Sequence, residues 1–234
     1  MEQRKSFILT ELLRIIIMSD YFVYSPCSIS YRSQTTDQFV ESAALAFENY
    51  PMFNYILGNN SKARDIRIIL SASLKASSMD WICLSSNGNK VSLAIFYPPG
   101  FKDTKTIPFL LCGGLRLLMK NKFKAIPRLA IYENYAMKIM SKYVDDRCWY
   151  LQSFTVHPYY QKQGVASKTL KPMLDFFDAT GQRCFLETNT QSNIALYEHF
   201  GFKVVETGII PGSDVPHFAM IREPKNRDKD VTNG

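Results

Sequence analysis

The stretch TVHPYYQKQGVASKTL, residues 155–170, decides how this chain folds. A β-branched, apolar run stops at His157-Pro158, and a run with helical spacing opens at Gly164. A strand that turns directly into a helix leaves the first helical N–H groups without partners. With the positive end of the helix dipole, those groups form a ready anion site. Gly164 has no Cβ to hold an anion off the backbone, and Ala166 and Ser167 are small. Gln161, Lys162, Gln163 and Lys168 add donors or positive charge. The ligand that best suits such a turn is a phosphate or pyrophosphate. The pattern is not a P-loop, which needs G-K-S/T. Nor is it G-x-G-x-x-G, because residues 164–169 hold one glycine. The same spacing also fits a plain tight turn from strand to helix, so the surrounding sequence has to decide.

Working outward, CWYLQSFTV (148–156) reads as a buried strand entering the turn. The helix leaving it runs to Thr180, with Val165, Ala166, Leu170, Met173, Leu174 and Phe177 on one face, Pro172 inside it and Gly181 as its stop. RCFLET is a strand and QSNIALYEHF a short helix closed by Gly201. FKVVETGII and VPHFAMIRE are two more strands, joined through Pro211-Gly212. Upstream, SISY (28–31) reads as an edge strand. A helix follows, with Thr35 or Thr36 as N-cap and Phe39, Ala43, Ala46 and Phe47 on its apolar stripe. A short helix from Pro51 and a third through Ile66, Ile69, Leu70 and Leu74 come next. WICLSSNGNKVSLAIFYPPG is a hairpin turning at Asn87-Gly88. Two helical stretches, about 106–120 and 126–142, follow, with Gly113-Gly114 inside the first, which leaves its continuity open.

The 234 residues suffice for one good-sized domain. A composition of 46% hydrophobic and 21% charged residues excludes disorder as the default state. The formal charge of +7 suits an acidic ligand, yet it forms no single stripe. Its densest part, MKNKFKAIPR, reads as a solvated helix end or loop rather than a phosphate-binding patch, and no nucleic-acid-binding signature is present. Five scattered cysteines without a C-x-x-C pair speak against a disulfide framework and for a reducing, cytoplasmic setting. The three histidines lack metal-site spacing, so no metal is expected. At the N-terminus, Leu9, Leu12, Leu13, Ile16 and Ile17 lie at helical spacing, with Glu11 and Arg14 interrupting the apolar run. An amphipathic helix is expected there rather than a signal peptide or membrane span. The expected organisation is an N-terminal extension (1–27), one domain (28–223) and a polar tail (224–234).

Two motifs together resemble the GNAT superfamily of acyl-CoA-dependent N-acetyltransferases. The family's phosphate motif, Q/R-x-x-G-x-G/A after a strand ending in V-x-P, is matched by Val156, Pro158, Gln161, Gly164 and Ala166. Its later N-x-x-x-Y-x-x-x-G-F, behind a strand, is matched by Asn193, Tyr197, Gly201 and Phe202. The resemblance covers about residues 148–222. It implies an α/β (α+β) fold with a mixed, twisted central sheet of six to seven strands, splayed in the middle and flanked by helices on both faces. Acetyl-CoA would lie in the split as co-substrate. Its pyrophosphate would meet Gln161 and the N–H groups of Gln163, Gly164, Val165, Ala166 and Ser167. Its pantetheine arm would pair with the backbone of Phe154 and Val156 and meet the amide of Asn193.

The implied chemistry is direct transfer to a primary amine on a small molecule or peptide. A backbone N–H on the 154–156 strand would steady the oxyanion, and Tyr197 would protonate the leaving thiolate. The base is less legible. Tyr150 and Gln152, at the positions where the family often carries Glu or His, are poor bases, and Glu187 is an alternative, acting directly or through water, or else serving as a buried structural carboxylate. No nucleic-acid or membrane partner is expected, and a homodimer is open. The competing readings are a catalytically idle coenzyme-binding or regulatory module and a basic nucleic-acid-binding protein.

Overall fold

A computed structural model describes residues 27–31, 37–77, 82–86, 91–100, 106–120 and 122–225. The N-terminal extension, the N-cap at Thr35 or Thr36, the Asn87-Gly88 turn and the tail beyond residue 225 lie outside the described residues.

The elements follow the expected order. Strand β1 (Cys27–Tyr31) precedes helices α1 (Asp37–Ala46), α2 (Pro51–Leu57) and α3 (Ala63–Ala76). Strands β2 (Ile82–Ser86) and β3 (Ser92–Tyr97) follow. The run after Thr106 breaks into α4 (Thr106–Phe109), a π-helical turn (Leu110–Gly114) and α5 (Arg116–Met119). The break lies where the glycine pair predicts it. Gly113 has φ of 123°, outside the helical region, and a Cβ at Gly114 would collide with the Phe109 ring. Helix α6 (Ala125–Met140) leads into β4 (Cys148–Val156), a 3-10 turn (Pro158–Tyr160) and α7 (Val165–Thr180). The chain closes with β5 (Arg183–Thr188), α8 (Gln191–His199), β6 (Lys203–Ile209) and β7 (Pro216–Arg222).

Among the described residues one mixed sheet runs β1-β2-β3-β4-β5-β7-β6. Its parallel pair is β4–β5, and the other pairs are antiparallel. Strand alternation divides the core. On one face Trp149, Leu151, Cys184 and Leu186 pack against Leu170, Met173 and Phe177 of α7 and Tyr197 of α8. On the other, Cys148 and Phe185 meet Ile139 and Met140 of α6, while Leu93, Ile95 and Tyr97 meet α1 and α3.

Two irregularities position the site. Along β3–β4 the register passes from Ile95↔Ser153 to Phe96↔Leu151, leaving Gln152 of β4 without a partner. This bulge shifts the alternation by one, so Phe154 joins Trp149 and Leu151 on the α7 face although its spacing from them is odd. The β4–β5 pairing runs from Cys148↔Arg183 to Leu151↔Leu186 and stops there, while β4 continues to Val156 and β5 to Thr188. The sheet therefore opens at the bulge, in the place the resemblance implies.

Candidate active site

Gly164 is the N-cap of α7, with φ of 73° and ψ of 4°, and no side chain caps the helix. An L-residue is disfavoured in that left-handed conformation, which accounts for the glycine. A Cβ built at Gly164 would meet no heavy atom within 4 Å, so the space in front of the turn is open. Helix geometry leaves the N–H groups of Val165, Ala166 and Ser167 without intrahelical acceptors. Lys162, also at positive φ (61°), stands exposed beside them. The two glutamines behave differently from the sequence expectation. Gln161 Nε2 donates to Val156 O at 3.2 Å and Gln163 Nε2 to Tyr159 O at 2.8 Å. Both amides brace the turn's own backbone instead of facing an anion. The Val156 carbonyl, expected to pair with a ligand arm, is engaged by Gln161.

Behind the gap between β4 and β5 lies a cavity of about 140 Å³. Residues from both sheet faces reach it because the strands have parted: Glu187 comes from the α6 face, Tyr197 and Phe154 from the α7 face. Helices α1, α2, α3 and α6 close it with apolar and aromatic side chains, among them Ala43, Phe53, Leu70 and Tyr132. Among the described residues its charged lining consists of Glu133 and Glu187, with no Lys or Arg.

A hydrogen-bonded floor joins the helical wall to the end of β5. Asn189 donates its backbone N–H to Tyr50 Oη (2.8 Å) and its Nδ2 to Pro216 O (2.7 Å), and accepts at Oδ1 from Tyr132 Oη (3.2 Å). Thr188 Oγ1 accepts from Asn193 Nδ2 at 3.0 Å and pairs with Tyr50 Oη at 3.1 Å. The Asn193 amide is thus held at the cavity edge by Thr188.

Tyr197 is buried in the cavity wall, its ring edge-on to Phe202 at 5.9 Å. Burial, with smaller contributions from Tyr50 and Cys184, pushes its phenol well above the usual range, so the hydroxyl stays protonated. Glu187 is almost fully enclosed. Its Oε2 accepts a long hydrogen bond from Tyr150 Oη at 3.5 Å, and its Oε1 lies 3.4 Å from His217 Nε2. That last pair is in ion-pair range but not aligned for a hydrogen bond, so both atoms are left unsatisfied. Burial first, and then the Glu187 charge, raise the phenols of Tyr132 and Tyr150 well above normal. His217 is wedged edge-on against Tyr135 at 5.3 Å and is 1% exposed. Cys148 and Cys184 are core residues. Burial pushes the Cys148 thiol up to about 12 and Cys184 well above normal, which removes either as a thiolate nucleophile at neutral pH.

The cavity therefore brings together Phe154, Glu187, Asn193 and Tyr197 of the sequence-derived residues, while Gln161 to Ser167 form a separate turn at the far end of β4. Tyr150 and Gln152 do line the cavity, Gln152 at the bulge itself. Sequence reasoning missed Glu133 and His217. Glu133 carries no local motif, and His217 reaches Glu187 only through the β5–β7 pairing.

The comparisons agree with this geometry. Residues 121–202 match the acetyltransferase (GNAT) family. An N-acetyltransferase of Schizosaccharomyces pombe, itself described as uncharacterized, is 36% identical over 88 residues. That match covers 36% of this chain and 35% of the relative's length. Among solved structures, arylalkylamine N-acetyltransferase 2 from Aedes aegypti superposes with a TM-score of 0.51 at 15% identity, covering 85% of this chain and 100% of that one. An agmatine N-acetyltransferase superposes with a TM-score of 0.50 at 12% identity, over 84% and 99% of the two chains. Such distant likenesses speak for the fold alone. The match to the acetyltransferase (GNAT) family thus spans the stretch that holds the bulged strand, the Gly164 turn, the parted β4–β5 pair and Tyr197.

Proposed function

We propose that the domain at 28–223 transfers an acetyl group from acetyl-CoA to the primary amine of a small acceptor with an apolar body. The observation that carries this reading is the gap beyond Leu151–Leu186. It links an open anion turn to a cavity whose charged lining, among the described residues, is Glu133 and Glu187. A lining of two carboxylates and no cation favours a positively charged head, and the aromatic and aliphatic wall favours a carbon skeleton behind it.

The pyrophosphate meets the N–H groups of Val165, Ala166 and Ser167 at the positive end of α7. The free edge of β4 beyond the bulge aligns the pantetheine arm and presents a backbone N–H to the developing oxyanion. Glu187 takes the ammonium proton as the acceptor seats, directly or through water. The neutral amine then attacks the thioester carbon to give a tetrahedral oxyanion. Its collapse breaks the C–S bond, and the proton that the new amide nitrogen sheds passes to the Tyr197 oxygen as that oxygen gives up its own. Tyr197 donates its proton to the departing thiolate; burial keeps that proton in place at neutral pH, and it is the position of Tyr197 in the cavity wall that supports the role. The products are the amide and free coenzyme thiol.

The test is thiol release from acetyl-CoA in the presence of a panel of primary amines, with calorimetry of coenzyme binding beside it. Amine-dependent release is the expected result. Binding without release from any amine would support instead an idle coenzyme-binding module, a reading favoured by the engagement of Glu187 with Tyr150 and His217. No binding at all would end both.

A further inference from the structure

The segment between β3 and α6 carries an apolar ridge on its outer side. Ile107 is 70% exposed, Leu111 78%, Leu115 48%, Met119 85% and Phe123 64%, one residue every four. The inner side of the same run is fully packed: Phe109 and Leu117 are buried with Ile66 and Ile69 of α3 and Phe53 and Ile56 of α2. The ridge is therefore not a loose end that has failed to dock. It is the second apolar face of an anchored element, and a surface helical run with two apolar faces wants an apolar medium on both.

The charge around it narrows the choice of medium. Residues 104–132 contain no Asp or Glu and six Lys or Arg. Arg116 and Lys124 stand exposed within the run of the ridge. Lys120 is exposed beside them, while also pairing with Asp65 at 3.3 Å. We propose that this ridge and its basic flank form a peripheral contact for an anionic lipid bilayer, the aliphatic tips entering the interface and the Lys and Arg side chains meeting headgroups.

Other occupants fit less well. A second copy docking the same face across a two-fold axis would set positive flank against positive flank. Residues 1–26 carry three acidic and three basic side chains, so they offer no complementary charge. A nucleic acid would meet the basic groups but leave four aliphatic side chains in water. Among the described residues no helix is long and apolar enough to cross a membrane, so the contact is interfacial and not a span. It departs from the expectation of no membrane partner, and it does not rest on the acyl-transfer reading.

The test is co-sedimentation of the full chain with vesicles of phosphatidylcholine alone and with about 30% phosphatidylserine, at low and high salt. Binding is expected to the anionic vesicles, to weaken at high salt, and to be near background on phosphatidylcholine alone. Arg116→Glu with Lys124→Glu should lower partitioning by at least about 25-fold, from roughly fivefold per basic residue removed. Leu111→Ser with Met119→Ser should abolish it while leaving the thermal melt unchanged, since neither side chain is packed. The proposal is overturned by absence of binding to anionic vesicles, by equal binding to both compositions, or by binding that survives both variants. It is equally overturned if sedimentation shows a dimer that the Leu111→Ser, Met119→Ser protein no longer forms.

Discussion

Gly164→Ala and Gly181→Ala bracket α7 and form a matched pair. Gly164 has φ of 73° and Gly181 φ of 67°, and a Cβ at either would meet nothing within 4 Å. Neither substitution therefore carries a clash, and each forces alanine into the left-handed region at a cost of about 1–2 kcal/mol. The smaller gain from a less flexible unfolded chain is common to both and cancels in the comparison. Both variants should melt several degrees lower, by nearly equal amounts, at roughly 2–4 °C per kcal/mol for a domain of this size. They part on coenzyme affinity. At Gly164 the new methyl stands on the residue that precedes the Val165–Ser167 N–H groups, where, on the proposed reading, it crowds the bound pyrophosphate out of at least one charge-assisted hydrogen bond. A loss of about 1.5–3 kcal/mol corresponds to a dissociation constant roughly 10- to 150-fold higher. At Gly181 the methyl lies at the opposite end of the helix, and affinity should change less than about twofold. Calorimetric titration with coenzyme A at fixed ionic strength, alongside melting curves, reads both quantities. Equal coenzyme affinity in the two variants would refute the assignment of the pyrophosphate to this turn, whatever the melting temperatures show.

Tyr197→Phe should lower kcat by about 10²-fold or more with little change in coenzyme binding. Because burial raises the phenol, it keeps its proton as pH rises through the ordinary tyrosine range. The wild-type rate should then show no descending limb near pH 10, and a Tyr197-dependent limb there would contradict the burial argument. Glu187→Gln should cut kcat/KM by about 10²-fold near pH 7 and by less near pH 9, where more of the acceptor arrives neutral; a deficit independent of pH would make Glu187 a structural carboxylate. Asp178→Ala should destabilise the fold by about 3–5 kcal/mol in denaturant titration, because it strips a 2.7 Å partner from buried Arg222, whose Nη1 is already unpaired; a loss below about 1 kcal/mol would mean that water reaches the guanidinium.

What was legible in the sequence was local. Pro158, Gly164 and Gly181 each mark a backbone event within a few residues of themselves, so the strand, turn and helix around them could be read without knowing their neighbours. The break at Gly113-Gly114 was legible for the same reason. The bulge at Gln152 was not, because the adjacent polar pair Gln152-Ser153 interrupts the alternation of WYLQSFTV without saying which residue is extra, and the shift exists only relative to β3. Glu133 and His217 were missed because they come near the site through tertiary packing: one from α6 across the cavity, one from β7 behind Glu187. The spacing predicts helix over most of the ridge, from Ile107 to Met119, yet a run apolar on both sides gives no sequence cue to which side is buried.

The bulge is what makes the anion turn and the cavity one device. Upstream of Gln152, β4 spends its hydrogen bonds on both neighbours, as a central strand must. Downstream, its β3 side stays paired from Ser92↔Val156 to Ile95↔Ser153 while its β5 side loses its partner. A strand edge left open beside a cavity exposes main-chain donors and acceptors that want an extended ligand. The Gln161 amide already engages one of these carbonyls, at Val156, from the anion turn itself. The same side chain thus ties the phosphate end of the cleft to the end of the open edge. A ligand that grips the turn and lies along β4 must arrive with its far end near Gln152, between Tyr197 and Glu187, because the strand runs straight from one to the other. Under the proposed acyl transfer, a long, anion-tipped, amide-bearing carrier is the ligand that suits the turn and the open edge together, and the cavity beyond then sets which amine it meets.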